Sequence, residues 1–245
     1  VPGFTAFVSD LHLTAERPQA NAAFFAFLRD VASQADGLYV LGDLFEYWAG
    51  DDDLSDAFNA KVAAALRDVS AQVPVWVMHG NRDFLLMQRF ASASGARLLA
   101  DPARIDLYGT PTLLMHGDLL CTQDRRYQLF RSVVRNRAVQ ALFMRLPLAR
   151  RKQAIGGARR VSEGEKQVKQ MSIMDVSPRA VERALRAHGC ERLIHGHTHR
   201  PARHEHEVDG RVRERWVLSD WYQTGEYLRC SPGGCERVPL GFESR

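Results

Sequence analysis

The chain has 245 residues, 45% apolar and 25% charged, with a net charge of +4. These are the proportions of a globular domain large enough for a real core, and they exclude a disordered or disulfide-scaffold chain. No apolar run approaches the ~20 residues that a helical membrane span needs.

The chain opens directly on an apolar strand, Phe4–Ser9, with no basic n-region or cleavage site ahead of it. Pro18–Val31 follows as an amphipathic helix and Leu38–Leu41 as a strand. Ser55–Val69 reads as a helix with Ser55 as its N-cap, Val73–Met78 as a strand, Phe84–Ala93 as a helix and Thr112–Met115 as a strand. Alternation of this kind predicts a layered α/β domain. Residues 123–170 break the rhythm: long, helical in pattern, interrupted at Pro147 and Gly156-Gly157, they read as a helical insertion capping a single domain over 1–245. Ser177-Pro178 opens another helix that ends near Gly189, before a strand at Arg192–Ile194. The remainder, Arg203–Val208, Arg213–Ser219, Glu226–Leu228 and Cys235–Pro239, reads as antiparallel strands and turns.

Charge is unevenly spread. Residues 122–170 carry thirteen Lys and Arg against Asp124, Glu163 and Glu165, a local excess of +10, so the rest of the chain is net acidic. Such a segment predicts an anionic partner. Cys121 and Cys190 read as small buried hydrophobes. Cys230 and Cys235 flank a Ser-Pro-Gly-Gly turn, close enough to pair but too few for a zinc site. A reducing cytoplasm is the default compartment for this cysteine usage.

Chemistry concentrates at the ends of the apolar runs. Asp10 and His12, Asp43, Asn81 and Arg82, His116, and His197 and His199 all fall just after predicted strands. Loops at the carboxyl ends of neighbouring strands share one rim, so these groups are expected to converge there. They supply oxygen and nitrogen ligands in the number two adjacent cations need, with Asp43 placed to bridge. Taken singly, each has a plainer reading. His79 is expected to be structural, Asp51-Asp52-Asp53 a solvated loop and helix N-terminus, with lining of the site mouth as the alternative, and His188, His204 and His206 surface residues.

The strings Asp10-Leu11-His12, Gly42-Asp43, Gly80-Asn81, His116-Gly117 and Gly196-His197-Thr198-His199 resemble the signature of calcineurin-like metallophosphoesterases. The resemblance implies a β-sandwich flanked by helices. It also implies one ion at Asp10, His12, Asp43 and His199, and a second at Asp43, Asn81, His116 and His197. Two Mn2+ are the expected cofactors, although the ligand chemistry also accepts iron, zinc or cobalt. Many members carry histidine after the asparagine, where this chain has Arg82. A guanidinium is a poor general acid but a good phosphate clamp, which suits a leaving group that is itself a phosphate.

Longer strings resemble the UDP-2,3-diacylglucosamine hydrolase family of lipid A biosynthesis: Gly42-Asp43-Leu44-Phe45-Glu46 with Trp48, His79-Gly80-Asn81-Arg82-Asp83-Phe84, Met115-His116-Gly117-Asp118, Ser172-Ile173-Met174-Asp175-Val176 and His195 to Pro201. That resemblance implies hydrolysis of UDP-2,3-diacylglucosamine to UMP and 2,3-diacylglucosamine 1-phosphate, with water attacking the UMP-side phosphorus. Catalytic roles are implied for Asp43, Asn81, Arg82 and His197. Substrate contacts are implied for Asn81, Arg82, Asp124, Ser162, Lys166, Lys169 and His197, although Lys166 stands where relatives can have a neutral residue. The implied location is the cytoplasm, peripherally on the inner membrane, with a lipid-linked nucleotide sugar as partner and no nucleic acid. Val133, Val134, Leu142, Phe143, Leu146 and Leu148 would supply apolar surface among the arginines, or pack the insertion onto the domain. Two other readings compete. One is a metal-dependent nuclease or nucleotide phosphodiesterase gripping a nucleic-acid backbone, against which few aromatics in the basic segment suit base stacking. The other is a membrane-surface module that keeps its metals for structure. The resemblance runs from about Phe4 to Pro201, and the segment beyond adds little to it.

Overall fold

The computed structural model describes residues 3–168 and 175–241, with 159–168 described through their backbone. Strand β1 (Thr5–Val8) leads through helix α1 (Pro18–Asp30) to β2 (Gly37–Leu41), and α2 (Ala57–Ser70) leads to β3 (Val75–Met78). Helix α3 (Gln88–Ser94) and strand β4 (Arg97–Leu99) complete this parallel run. A hairpin of β5 (Ala103–Leu107) and β6 (Thr110–Met115) starts a second sheet. Three helices follow: α4 (Arg125–Val134), α5 (Arg137–Phe143) and α6 (Leu148–Val168). Then come α7 (Pro178–His188), β7 (Arg192–His195), β8 (Ala202–Val208), β9 (Arg211–Val217), β10 (Gly225–Ser231) and β11 (Gly234–Leu240).

The strands form two mixed sheets, β11-β10-β1-β2-β3-β4 and β5-β6-β7-β9-β8. Side-chain alternation explains why they stack. In β2, Leu38 and Val40 join the core under α1 and α2, while Tyr39 and Leu41 face the other sheet. In β6 and β7, Leu114 and Ile194 face inward, whereas Leu113 and Leu193 meet Val181 and Leu185 of α7. The central residues of these strands are apolar on both faces, as strands covered on both sides must be. Between the sheets Phe7, Tyr39 and Trp76 stack across three paired strands, with ring centroids 5.0 and 4.4 Å apart. The result is the helix-flanked β-sandwich that the resemblance implies.

Several boundaries differ from the sequence reading, each for a local reason. Helix α2 is capped by Asp56, not Ser55; its carboxylate accepts from Phe58 N at 2.9 Å and Asn59 N at 3.2 Å. Helix α3 begins at Gln88 because Phe84–Met87 turns to bury Leu85 and Leu86. The Asp51 carboxylate then takes Met87 N and Phe90 N at 2.9 Å and Trp48 Nε1 at 3.1 Å. Asp51 is therefore a buried clamp, and Asp53 is buried as well, where a solvated loop was expected. Strands β4 and β5 have no counterpart in the sequence reading: β4 is only three residues long, and β5 alternates apolar residues with Arg104 and Asp106 over five. Cys230 and Cys235 face each other across β10 and β11 and form a disulfide, while Cys121 and Cys190 are buried thiols.

Helices α4 to α6 attach to the body through charge. Arg131 donates to Asp118 Oδ2 at 2.7 Å and to Asp101 Oδ2 at 3.2 Å, joining α4 to the loops around β6. Arg151, only 2% exposed, binds Asp52 and the Ala49 carbonyl, and Lys152 pairs with Asp53 at 2.5 Å. Part of the basic excess in this segment is thus spent internally. Phe143 and Met144 pack against the helix-side core, whereas Leu129, Phe130, Val133, Val139, Leu142 and Leu146 face solvent.

Candidate metal centre

Each of the seven expected ligand residues sits in a loop at the rim where β1, β2, β3, β6 and β7 end. The chain leaves β1 and β2 side by side: Asp10 N donates to Gly42 O at 3.1 Å and His12 N to Asp43 O at 3.0 Å. Asp10, His12, Asp43, His197 and His199 all have φ between 48° and 69°, the left-handed region. Non-glycine residues enter it rarely, with Asp and His among those enriched there, and such clusters mark functional sites. The bend turns each side chain back over the strand ends. Glycines make room for the approach: a Cβ on Gly80 would overlap the Asp43 carboxylate, and one on Gly42 would lie 2.5 Å from His116 Nδ1.

The side chains converge as two overlapping groups. Asp10, His12 and His199 offer ligand atoms within 4.8 Å of one another, and so do Asp10, Asp43 and His116. Asp43 Oδ2 lies 3.8 Å from His12 Nε2 and 3.9 Å from His116 Nε2, midway between the two groups. Asp10 Oδ1 is 3.3 Å from His199 Nε2 and 4.0 Å from His12 Nε2. On the other side, Asn81 Oδ1 is 3.1 Å from His116 Nε2 and 2.9 Å from His197 Nδ1. Ligands of one ion, each bound at roughly 2.0–2.2 Å, stand no more than about 4.4 Å apart. The distances from Asp10, Asp43 and Asn81 to these histidine nitrogens, 2.9 to 4.0 Å, all meet that limit.

Two details fit a place shaped for cations. His116 Nδ1 lies 2.9 Å from the Leu41 carbonyl, which can only accept, so the ring proton sits there. That leaves Nε2 for the centre, 3.1 Å from Asn81 Oδ1, where a cation would take the place of the proton between them. Asp10 Oδ1 is buried with no hydrogen-bond partner, although Oδ2 accepts from Ser9 Oγ at 2.6 Å and His197 N at 2.8 Å. The field at the site is strongly negative. Burial opposes charging His116, yet Asp43, Asp10 and Asp118 raise its pKa to about 9. His199 is likewise raised to about 10 against burial, by Asp10 and Asp220. A field that holds protons so firmly also favours divalent ions, and the donor set fits them.

The remaining expected residues are distributed around this centre. Arg82 is 13% exposed, its guanidinium Nη1 3.6 Å from Glu46 Oε1, and its backbone N donates to Asp43 Oδ1 at 2.8 Å. Asp124 caps α4, accepting from Tyr127 N at 3.1 Å. Ser162 and Lys166 lie on the part of α6 described by backbone alone, and Lys169 and the segment Ser172–Met174 lie outside the described residues. His79 is structural, its Nε2 2.7 Å from Leu86 O.

The sequence reading missed a sixth loop. Asp220, Trp221 and Tyr222 follow β9, which runs parallel to β7 and so delivers them to the same rim. Trp221 is fully buried against Phe24 and Phe27. From that anchor Asp220 Oδ2 comes within 3.1 Å of His199 Nδ1, and Tyr222 stacks on His12 at 5.2 Å. Arg17 ties the loop down, binding the carbonyls of His12 and Trp221 with its guanidinium 4.4 Å from the Tyr222 ring. The rule about strand ends would have found this loop too.

A calcineurin-like phosphoesterase family model matches residues 5–201. A UDP-2,3-diacylglucosamine hydrolase of Aeromonas hydrophila subsp. hydrophila is 50% identical over 230 residues, covering 94% of this chain and 95% of that protein. One from Aromatoleum aromaticum is 52% identical over 228 residues, 93% of each chain. One from Pseudomonas aeruginosa is 46% identical over 235 residues, covering 96% and 98%.

Proposed function

The chain belongs to the calcineurin-like phosphoesterase family, in its UDP-2,3-diacylglucosamine hydrolase branch, and from that premise we propose that it hydrolyses the pyrophosphate of UDP-2,3-diacylglucosamine to UMP and 2,3-diacylglucosamine 1-phosphate in lipid A biosynthesis. The observation that carries the reading is Asp43 Oδ2 standing midway between His12 and His116, in a chain about half identical to those hydrolases along nearly its full length. Asp10, His12, Asp43 and His199 would hold one ion, and Asp43, Asn81, His116 and His197 the other. Mn2+ is the proposed metal from the family resemblance; the oxygen donors suit it, while the imidazoles also accept iron, zinc or cobalt. Bound there, the ions lower the pKa of water and neutralise charge on phosphoryl oxygens.

The chain's own groups account for the rest. Arg82, steered by Glu46, clamps the pyrophosphate and cannot donate a proton; the departing sugar phosphate, a monoester with pKa about 6, needs none. Attack on the UMP-side phosphorus follows from making that phosphate the leaving group. Asn81, Arg82 and His197 are the proposed substrate contacts at the rim. Asp124, Ser162, Lys166 and Lys169 are proposed as contacts from the helical segment 123–170, which we read as a cap. No helix among the described residues is long and apolar enough to cross a membrane. The exposed apolar and basic side chains of α4 and α5 support peripheral docking on the cytoplasmic face of the inner membrane. The test is manganese-dependent release of UMP, abolished in Asp43→Ala and His116→Ala. In ¹⁸O-water the label should enter UMP; label in the sugar phosphate would reverse the direction of attack.

A further inference from the structure

The imidazoles of the two groups are supported differently. His12 turns Nε2 to the centre, and its other nitrogen, Nδ1, lies 3.3 Å from Glu46 Oε2. His199 does the same, with Nδ1 3.1 Å from Asp220 Oδ2. Both histidines of the Asp10 group therefore have a carboxylate behind them. His116 instead has the neutral Leu41 carbonyl behind it at 2.9 Å, and His197 uses its Nδ1 on Asn81 Oδ1. A carboxylate behind a ligating imidazole fixes the tautomer, makes the ring a stronger donor and adds negative charge near the ion. The two groups also differ in their own donors, since Asp10 is anionic and Asn81 neutral.

We propose that Glu46 and Asp220 make the two cation positions unequal: the position at Asp10, His12 and His199 fills first and retains its ion, while the one at Asn81, His116 and His197 fills second and exchanges. This rests on the two-cation reading above. Glu46 carries a second task. Its Oε2 faces His12 and its Oε1 lies 3.6 Å from Arg82 Nη1, so one carboxylate orients both a ligand of the tighter ion and the phosphate clamp. Asp220 has no such link: its described contact at the centre is His199. Both are positioning residues, acting through the histidines and, for Glu46, through Arg82.

Binding and kinetics together test this. Metal-free protein titrated with MnCl2, with free Mn2+ counted by electron paramagnetic resonance, should show two classes of site at least about tenfold apart. Replacement of such supporting groups costs roughly 10–100-fold in metal affinity. Glu46→Gln and Asp220→Asn should each weaken the tighter class by about tenfold or more and spare the weaker. His116→Ala should remove the weaker class and keep the tighter. At saturating Mn2+, Glu46→Gln should also raise KM through Arg82, whereas Asp220→Asn should leave KM near wild type. Circular dichroism and metal-free Tm confirm that each isosteric variant folds. Two classes of equal affinity, equal weakening of both classes, or loss of the tighter class in His116→Ala would overturn the inference while the two-cation reading stands. Wild-type protein that binds no Mn2+ would overturn that reading itself.

Discussion

Five of the proposed ligand residues sit at positive φ, a cost the surrounding loops must hold in place, roughly 1–2 kcal/mol each for an L-residue. Gly80 is where that arrangement has least tolerance, because any Cβ there meets the Asp43 carboxylate and its backbone nitrogen. Gly80→Ala should therefore displace Asp43 and lower manganese-dependent turnover on the order of 100-fold; activity within twofold of wild type would show that the loop can yield. Protons offer a second check. His116 and His199 have folded pKa values of about 9 and 10, above the unpaired value near 6.5. In metal-free protein their stabilising contribution is complete below pH ~6.5 and lost as pH rises through 9 to 10. Mn2+ needs both rings neutral, so loading at pH 7 should release protons and bind more tightly as pH rises. Calorimetry in buffers of different ionisation enthalpy measures that release, and urea midpoints of metal-free protein should fall between pH 7 and 10. At this scale the convergence of the seven proposed ligands was legible because each lies within two or three residues of a glycine or another proposed ligand, just past an apolar run. Glu46, Asp220 and Tyr222 were not, because their roles depend on contacts that local spacing does not encode.

Among the elements, the strands of the two-sided sheets were plain from their apolar runs, and α1 and α7 from their prolines and periodicity. Caps and short edge strands were not, since Asp56 and Ser55 both make good caps and β4 has three residues. The charge on the helical segment was legible as a count but not as a distribution. Arg131, Arg151 and Lys152 face acids of the body, while Arg125, Arg126, Arg137, Arg145 and Arg150 face solvent. Arg131 matters most for attachment, because Asp118 is fully buried and Asp101 nearly so. Arg131→Ala leaves both carboxylates without their cation and should cost about 3–5 kcal/mol. For a chain of this size that is a Tm fall on the order of 10 °C or more. Arg125→Ala, on an exposed position, should stay within about 0.5 kcal/mol. A fall in Arg131→Ala no larger than that of Arg125→Ala would show that α4 is held by packing alone.

For the whole molecule, the question is what the helical segment presents outward, beside a centre proposed to act on a lipid-linked substrate. Leu129, Phe130 and Leu142 are 68%, 51% and 66% exposed, in the company of the five solvent-facing arginines. Core packing explains Phe143 and Met144 but not these three. Fully burying a leucine or phenylalanine is worth about 1.5–3 kcal/mol, and each basic residue near an anionic surface about 1 kcal/mol. Together they suffice for reversible docking and fall far short of insertion. Leu129→Glu with Leu142→Glu should lower binding to vesicles containing anionic phospholipid by at least about tenfold, read by co-sedimentation. Both positions are exposed, so Tm should hardly move. Wild-type binding should also weaken as salt rises, because the arginine share is screened within about 8–10 Å at physiological ionic strength. Hydrolysis of a short-chain, water-soluble analogue should stay near wild type in the double variant, since neither leucine touches the centre. Equal sedimentation of variant and wild type at both salt levels would remove the helical segment from membrane docking and leave these leucines without a role.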